Sequence, residues 1–388
     1  MIFDFDHLPN RRGTGCYKYD LEPDLLPLWV ADMDFAIAPC IQNALAKRIE
    51  HPVFGYNIVT KQWREAYTHF YKKRYGWSFE EDDLLFVTGV VPVLSSSVRA
   101  LTEIGDEVVV MPPVYNIFYN SIRNSSRIIK EVPLLFDGER YHMDYEGLEK
   151  AFASNKTKLC FLCNPGNPSA RIWSKEEMLR LAELAKKHNV IILSDEIHGP
   201  ITRPGMMYVP FLSIGDIAKE VGFAAISPSK AFNLAGLQSA AIVVNNPQIK
   251  AKVDRQINTD EVAEPNSFAL VSTIAALNEG EPWLDEMREY VFANRDFAYD
   301  FIKKNIPELK PIKGDATYLL WVDISNVEKD DGSFDQYLRK QEGVFFNAGH
   351  VYGKGGEGFI RINLATSREI VTKALLKLQE GVNSYGRK

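Results

Sequence analysis

The sequence predicts an α/β protein organised around a largely parallel sheet covered on both faces. Three observations predict it. Short, almost continuously apolar runs recur through residues 84–244, each bounded by Gly, Pro, Asn or Ser; strands buried on both faces read this way, whereas strands with one wet face alternate. Stretches of helical periodicity separate several of these runs, and strand–helix–strand succession marks parallel pairing through crossovers. Finally, Gly89, Tyr115, Asn167, Asp195 and Lys230 each fall just after a predicted strand, where ligands gather in open α/β sheets.

Taken in order, residues 1–45 are rich in apolar and aromatic side chains without a clear period. Leu28-Trp-Val-Ala-Asp-Met-Asp-Phe35 places two acids in an apolar stretch. It reads either as a turn capping a helix that starts near Ala38-Pro39 or as a segment folded over a site, and composition leaves both open. Residues 43–75 read as helical, interrupted at 51–57 by Pro52 and Gly55. Leu84–Gly89 is a strand, and Pro92 with the mixed pattern up to Leu101 marks a following helix. Gly89, Val90 and Val91 then form either a cup for an anion, lined by helix-start amides that lack partners, or a plain connecting turn.

The next strands are Glu107–Met111, ended by Pro112-Pro113, and Lys158–Cys163, ended by Asn164-Pro-Gly-Asn-Pro168. Ser174-Lys-Glu-Glu177 has capping-box spacing and opens a helix with Met178, Leu181, Ala182 and Ala185 on one face. Val190–Leu193, Phe223–Ile226 and Ala240–Val244 complete the series. Residues 282–305 read as one long amphipathic helix leading to a second unit, with strands at 318–323 and 359–363 and a helix from Ser367. Gly353-Lys-Gly-Gly-Glu-Gly358 matches G-x-G-x-x-G, but it precedes a strand and begins no βαβ unit, so it reads as a loop.

A length of 388 residues suits two domains, and 46% hydrophobic with 25% charged residues is ordinary for a globular chain. The net charge of −6 supplies no attraction to nucleic acid or an anionic membrane. There is no apolar run long enough to span a bilayer, and the N-terminus lacks a signal-peptide pattern. Four cysteines argue against a disulfide scaffold and suit a reducing cytoplasm. Cys160 and Cys163 form a C-x-x-C inside an apolar run with no second Cys/His pair, so no metal is expected.

The chemistry centres on Lys230, in Ser227-Pro-Ser-Lys230 just past a buried strand. The ordinary reading is a solvated loop lysine. The competing one is an amine shielded from water that forms a Schiff base with a carbonyl cofactor. Pyridoxal 5'-phosphate would also need a carboxylate at its pyridine nitrogen and a phosphate cradle. Asp195, costly to bury unless paired, fits the first. Gly89 to Val91 with Ser227 and Ser229 fit the second. Lys230, once displaced, would remove the substrate Cα proton. Tyr115 either stacks on the ring or is a core aromatic, which composition alone prefers; Asn167 would donate to the ring hydroxyl. Arg361, in the apolar run Phe359-Ile-Arg-Ile362, needs a bidentate partner, either an amino-acid carboxylate or a structural acid.

Asn164-Pro-Gly-Asn-Pro168, Ser194-Asp-Glu-Ile-His198, Ser227-Pro-Ser-Lys230 and Phe359-Ile-Arg361 resemble, in order, the motifs of fold-type I pyridoxal-phosphate enzymes, the aspartate-aminotransferase-like superfamily. Asn10-Arg-Arg-Gly-Thr-Gly-Cys-Tyr-Lys-Tyr-Asp20, Trp29-Val-Ala-Asp-Met-Asp-Phe35 and Phe54-Gly-Tyr56 are similar to the MalY/PatB-type cystathionine β-lyases (C–S lyases) within it. The resemblance implies a large domain, residues 46–281, with a mostly parallel seven-stranded sheet sandwiched by helices. It also implies a smaller α/β domain built from residues 1–45 and 282–388.

It further implies a cytoplasmic homodimer with both sites at the interface, Tyr56 reaching the neighbour's phosphate, and Ala31 and Asp32 beside the substrate. The activity implied is α,β-elimination of L-cystathionine, or cysteine and related S-substituted cysteines, to a thiol, pyruvate and ammonia. Two positions depart from the aminotransferase pattern and match the lyase branch: His198 where tyrosine is usual, among the cofactor contacts, and Gln238 where a phosphate-binding arginine is usual. Both point away from transamination. The alternatives are an aminotransferase using the same lysine and a binding or regulatory role on the same scaffold.

Overall fold

Seven strands form the central sheet in the spatial order Leu84–Val87, Ala240–Val243, Gly222–Ile226, Ile191–Asp195, Thr157–Cys163, Glu107–Val110 and Ile128–Glu131. The computed structural model describes residues 2–385, so the expected domain limits at residues 1 and 388 lie outside the described residues. All neighbours are parallel except Ala240–Val243, which runs antiparallel to both of its neighbours. The expected strands are all present, with ends shifted by a residue or two. The edge strand Ile128–Glu131, half charged in Lys130-Glu131, is added to them.

Alternate residues of each strand enter two separate cores, as the period of a strand requires. Cys160, Leu162, Ile192, Ala224 and Ile226 pack on one face; Leu159, Phe161, Cys163, Leu193 and Ala225 pack on the other. Cys160 and Cys163 are free thiols on opposite faces, and burial pushes both well above the usual thiol range. Helices Val90–Leu101 and Pro247–Thr259 cover the second face, and Lys61–Tyr75, Lys175–His188 and Ala269–Glu279 the first.

Helix boundaries follow local chemistry. Ser174 Oγ accepts from the Glu177 N–H (3.2 Å) while the Glu177 carboxylate accepts from the Ser174 N–H (2.8 Å). Such a reciprocal cap contributes about 1 kcal/mol. Asn189, in the left-handed region at φ 55°, ends that helix. The excursion expected at 51–57 separates Pro39–Ile49 from Lys61–Tyr75.

The long helix Glu281–Asn305 leads to a second, antiparallel sheet, ordered Lys310–Pro311, Leu319–Asp323, Phe359–Asn363, Asn347–Ala348. Early residues return here: Leu26–Pro27 pairs in parallel with Val344–Phe345, and Leu28 joins a core with Ile302, Leu320, Ile360 and Leu375. Ser367 caps the last helix, Arg368–Ser384. Gly353–Gly358 is a loop running into the strand Phe359–Asn363. Among the described residues no helix is long and apolar enough to cross a membrane.

Candidate active site

Strand register brings the chemistry together. Cys163, Asp195 and Ala225 lie side by side at the carboxyl ends of three parallel strands. The antiparallel strand enters at the same end, because Ala240 pairs with Val87 and Ala241 with Ile226. One cavity therefore gathers Gly89, Val90, Val91, Tyr115, Asn167, Asp195, His198, Ser229 and Lys230, together with Ala31, Gln238 and Ser239.

Asp195 is buried, and its Oδ1 accepts the Ile197 N–H at 3.1 Å. No cation touches it among the described residues, and burial lifts its carboxyl to about 6. Lys230 faces the cavity, and its Nζ donates to the Ala31 carbonyl at 2.5 Å. Burial pushes this amine down to about 8, against the opposing field of Asp32. His198 is buried with Nδ1 lacking a partner, its ring edge-on to Tyr318 at 5.9 Å, and burial holds it well below the usual imidazole range. It is a neutral ring at physiological pH.

Gly89 precedes the helix Val90–Leu101, whose first amides have no intrahelical acceptors and open onto the cavity. Ser229 faces the same space, but Ser227 does not line it. Ser227 Oγ lies 2.7 Å from the Ser239 carbonyl and accepts the Ser229 N–H at 3.0 Å, so it fastens the lysine loop to the neighbouring strand. Arg361 Nη1 donates to Asn167 Oδ1 (3.0 Å) and Nη2 to the Trp29 carbonyl (2.8 Å). Asn167 thus spends its oxygen on the arginine, and its amide N–H groups remain for a ligand.

The two readings of Leu28–Phe35 separate here. The helix Pro39–Ile49 begins at Ala38 with no side-chain cap, so the acids do not cap it. The segment is a strap over the site. Asn363 Nδ2 donates to the Val30 and Asp32 carbonyls (both 2.6 Å), and Asn233 hydrogen-bonds to the backbone of Met33 and Phe35. Ala31 reaches the cavity through its carbonyl, which Lys230 and the Tyr318 hydroxyl (3.0 Å) both engage. The carboxylate of Asp32 is instead paired with Arg11 at 2.5 Å and lies 3.6 Å from Lys18. Tyr56 lies outside its own chain's cavity and is fully exposed.

Tyr318 and the Trp29 carbonyl are participants that sequence reasoning missed. A tyrosine opening an apolar strand offers only a weak signal, and a backbone carbonyl offers none.

The residues fit pyridoxal phosphate on their own geometry. A dry carboxylate without a counter-charge suits a protonated ring nitrogen, unpaired helix amides suit a phosphate, and a lysine with a depressed pKa lines the same cavity.

The family model "Aminotransferase class I and II" matches residues 23–378. The chain is 37% identical to "Cystathionine beta-lyase PatB" of Bacillus subtilis, over 98% of this chain and all of that one. It is 31% identical to "Protein MalY" of Escherichia coli, over 99% of this chain and all of the relative. Among solved structures, the PLP-bound C–S lyase from Staphylococcus hominis is 31% identical with a TM-score of 0.91, covering 98% of this chain and 99% of that one.

Proposed function

We infer that the chain, which belongs to the class I and II aminotransferase family, is a pyridoxal-phosphate-dependent carbon–sulfur β-lyase that splits L-cystathionine and related S-substituted cysteines to a thiol, pyruvate and ammonia. The observation that carries the residue assignment is that one cavity is lined by two buried groups without an ion partner among the described residues, Asp195 and Lys230.

When bound, the cofactor supplies the carbonyl that captures the substrate amine and the electron sink that loosens its Cα proton. Asp195 would hold a proton on the ring nitrogen. The Val90 and Val91 amides beyond Gly89, with Ser229, would hold the phosphate, and Tyr115, on the same cavity, would stack on the ring. His198 and Asn167 would meet the cofactor as neutral groups, with Asn167 donating to the ring hydroxyl. Arg361 binds the substrate carboxylate bidentately, and the Ala31 carbonyl aims the Lys230 amine. Asp32 acts on Lys230 through its field. Lys230 then takes the proton from Cα, and the thiolate leaves Cβ. A base titrating near neutrality is suited to that transfer.

The same reading extends to assembly. The protein is a cytoplasmic homodimer in which Tyr56 meets the neighbour's phosphate. Its exposed setting among the likewise exposed Val53, Phe54 and Ile58 supports this. It also adds support where Gln238 lines the cavity in place of the arginine usual in the aminotransferase pattern. The proposed division is a large domain of residues 46–281 and a small one of 1–45 with 282–388. The pairing of Leu26–Pro27 with Val344–Phe345 supports it.

The test is one assay of the purified protein with pyridoxal phosphate and L-cystathionine. Pyruvate and free thiol should appear in equal amounts. A keto-acid-dependent spectral change without pyruvate would replace the lyase with a transaminase.

A further inference from the structure

Arg361 is almost fully buried (3% exposed), yet no Asp or Glu pairs with it among the described residues. Its Nε has no partner. A buried guanidinium without a counter-charge is costly. An acid beside it would remove that cost, but it would occupy N–H groups that a substrate carboxylate needs. The structure meets the two demands differently. The ring of Tyr352 faces the guanidinium, with its centroid 5.0 Å from Cζ. An aromatic face carries negative potential and steadies a cation without accepting its hydrogen bonds.

The Tyr352 ring is itself fixed. It is buried, edge-on to Trp321 at 5.3 Å, and its hydroxyl accepts from Asn347 Nδ2 at 3.2 Å. Asn347 also donates to the Trp29 carbonyl (2.7 Å), the same oxygen that receives Arg361. The Tyr352 carbonyl accepts the Val114 N–H at 2.9 Å, next to Tyr115. Gly353 follows at φ 85°, and a Cβ there would fall 1.9 Å from the Tyr119 hydroxyl. The glycine-rich loop, whose G-x-G-x-x-G match begins no βαβ unit, thus has a packing reason: its entry lays Tyr352 against Arg361 and ties down the segment bearing Tyr115.

We propose that Tyr352 is a positioning residue for amino-acid recognition, its ring face holding the Arg361 guanidinium so that free N–H groups remain for the substrate α-carboxylate. This rests on Arg361 being the carboxylate site.

The test compares holoenzymes carrying Tyr352→Phe, Tyr352→Leu and 3,4,5-trifluorophenylalanine at position 352, which keeps the ring's shape but drains its negative face. KM for L-cystathionine is measured beside the calorimetric Kd of L-alanine, which has no leaving group. Tyr352→Phe should stay within about twofold of the parent in both, since the cation–π face survives. Tyr352→Leu should raise both by about tenfold or more with kcat within about threefold, and the fluorinated ring should follow leucine. A fluorinated ring that behaves like phenylalanine would overturn the proposal, as would a phenylalanine as impaired as leucine. If the leucine variant does not fold, the two ring variants decide alone. Were the parent to cleave no thioether, the alanine Kd would still read the Tyr352 effect, so failure of the lyase reading is separable from failure of this one.

Discussion

Two groups of charge meet at the strap, one on its own acids and one in the cavity beneath its Ala31 carbonyl, and they are treated in opposite ways. On the strap, Asp34 takes Lys18 at 2.9 Å, Arg11 at 2.8 Å and the Tyr19 hydroxyl at 3.0 Å, while Arg11 also takes Asp32. In the cavity, Asp195 and Lys230 have no ion partner among the described residues, only the Ile197 amide and the Ala31 carbonyl. Protonation follows the difference. The lysine and arginine hold the Asp34 carboxyl below its ordinary value despite burial, whereas burial lifts Asp195 to about 6. Charge that holds the fold is paired; charge that serves a ligand is left short of partners, so that the ligand completes it.

The contrast breaks most sharply at Lys230. Lys230→Ala should lower kcat/KM by about 10²–10⁴-fold, the range for losing a positioned base. It should also abolish the yellow Schiff-base absorbance. Melting of the same variant should change by about 1 kcal/mol or less, since only one hydrogen bond is lost. Full turnover in that variant would end the assignment, and a collapse in stability would place Lys230 with the structural charges.

Asp34→Ala is the mirror experiment. It leaves the buried Lys18 ammonium with only Asp32, 3.6 Å away, and breaking a buried pair this way costs up to about 3–5 kcal/mol. Denaturant unfolding should register that loss. The sign with pH follows: the Asp34 carboxyl lies below its ordinary value of 3.8, so its contribution is complete above pH 3.8 and fades as the pH falls further. The parent should therefore converge on the variant in acid, and a constant gap would show that packing, not charge, is what alanine removed.

Much of the cofactor side of this contrast was legible in the sequence, because strand ends are local features. Asp195 and Lys230 each sit just past an apolar run, and a parallel sheet carries such ends to one place. Gly89–Val91 reads as a strand–helix junction for the same reason. The strap was not legible. Its two readings separate only through Asn233 and Asn363, which lie hundreds of residues away in the chain. Nor could spacing reveal that Asp32 spends its carboxylate on Arg11, or that Ser227 fastens a loop rather than facing the cavity. Polar side chains take partners from wherever the chain returns, and periodicity carries no record of that return.

The finest test concerns the stability of the cofactor-free protein. Because the folded Asp195 titrates near 6 rather than 3.8, the native state binds more protons than the unfolded chain between those values. Its contribution to stability therefore falls as pH rises through that window, and the penalty is complete above about pH 6. At 1.36 kcal/mol per unit, the penalty is on the order of 1–3 kcal/mol. Asp195→Asn keeps the shape and removes the charge, so the cofactor-free variant should be more stable than the parent by that amount at pH 7 and equal to it near pH 4. Adding pyridoxal phosphate should reverse the order, because only the carboxylate can pair with a protonated ring nitrogen. Calorimetric melting with and without cofactor reads both arms. Equal stability of the cofactor-free pair at pH 7 would mean that the Asp195 charge is already compensated in the empty cavity, and the contrast between the two groups of charge would dissolve.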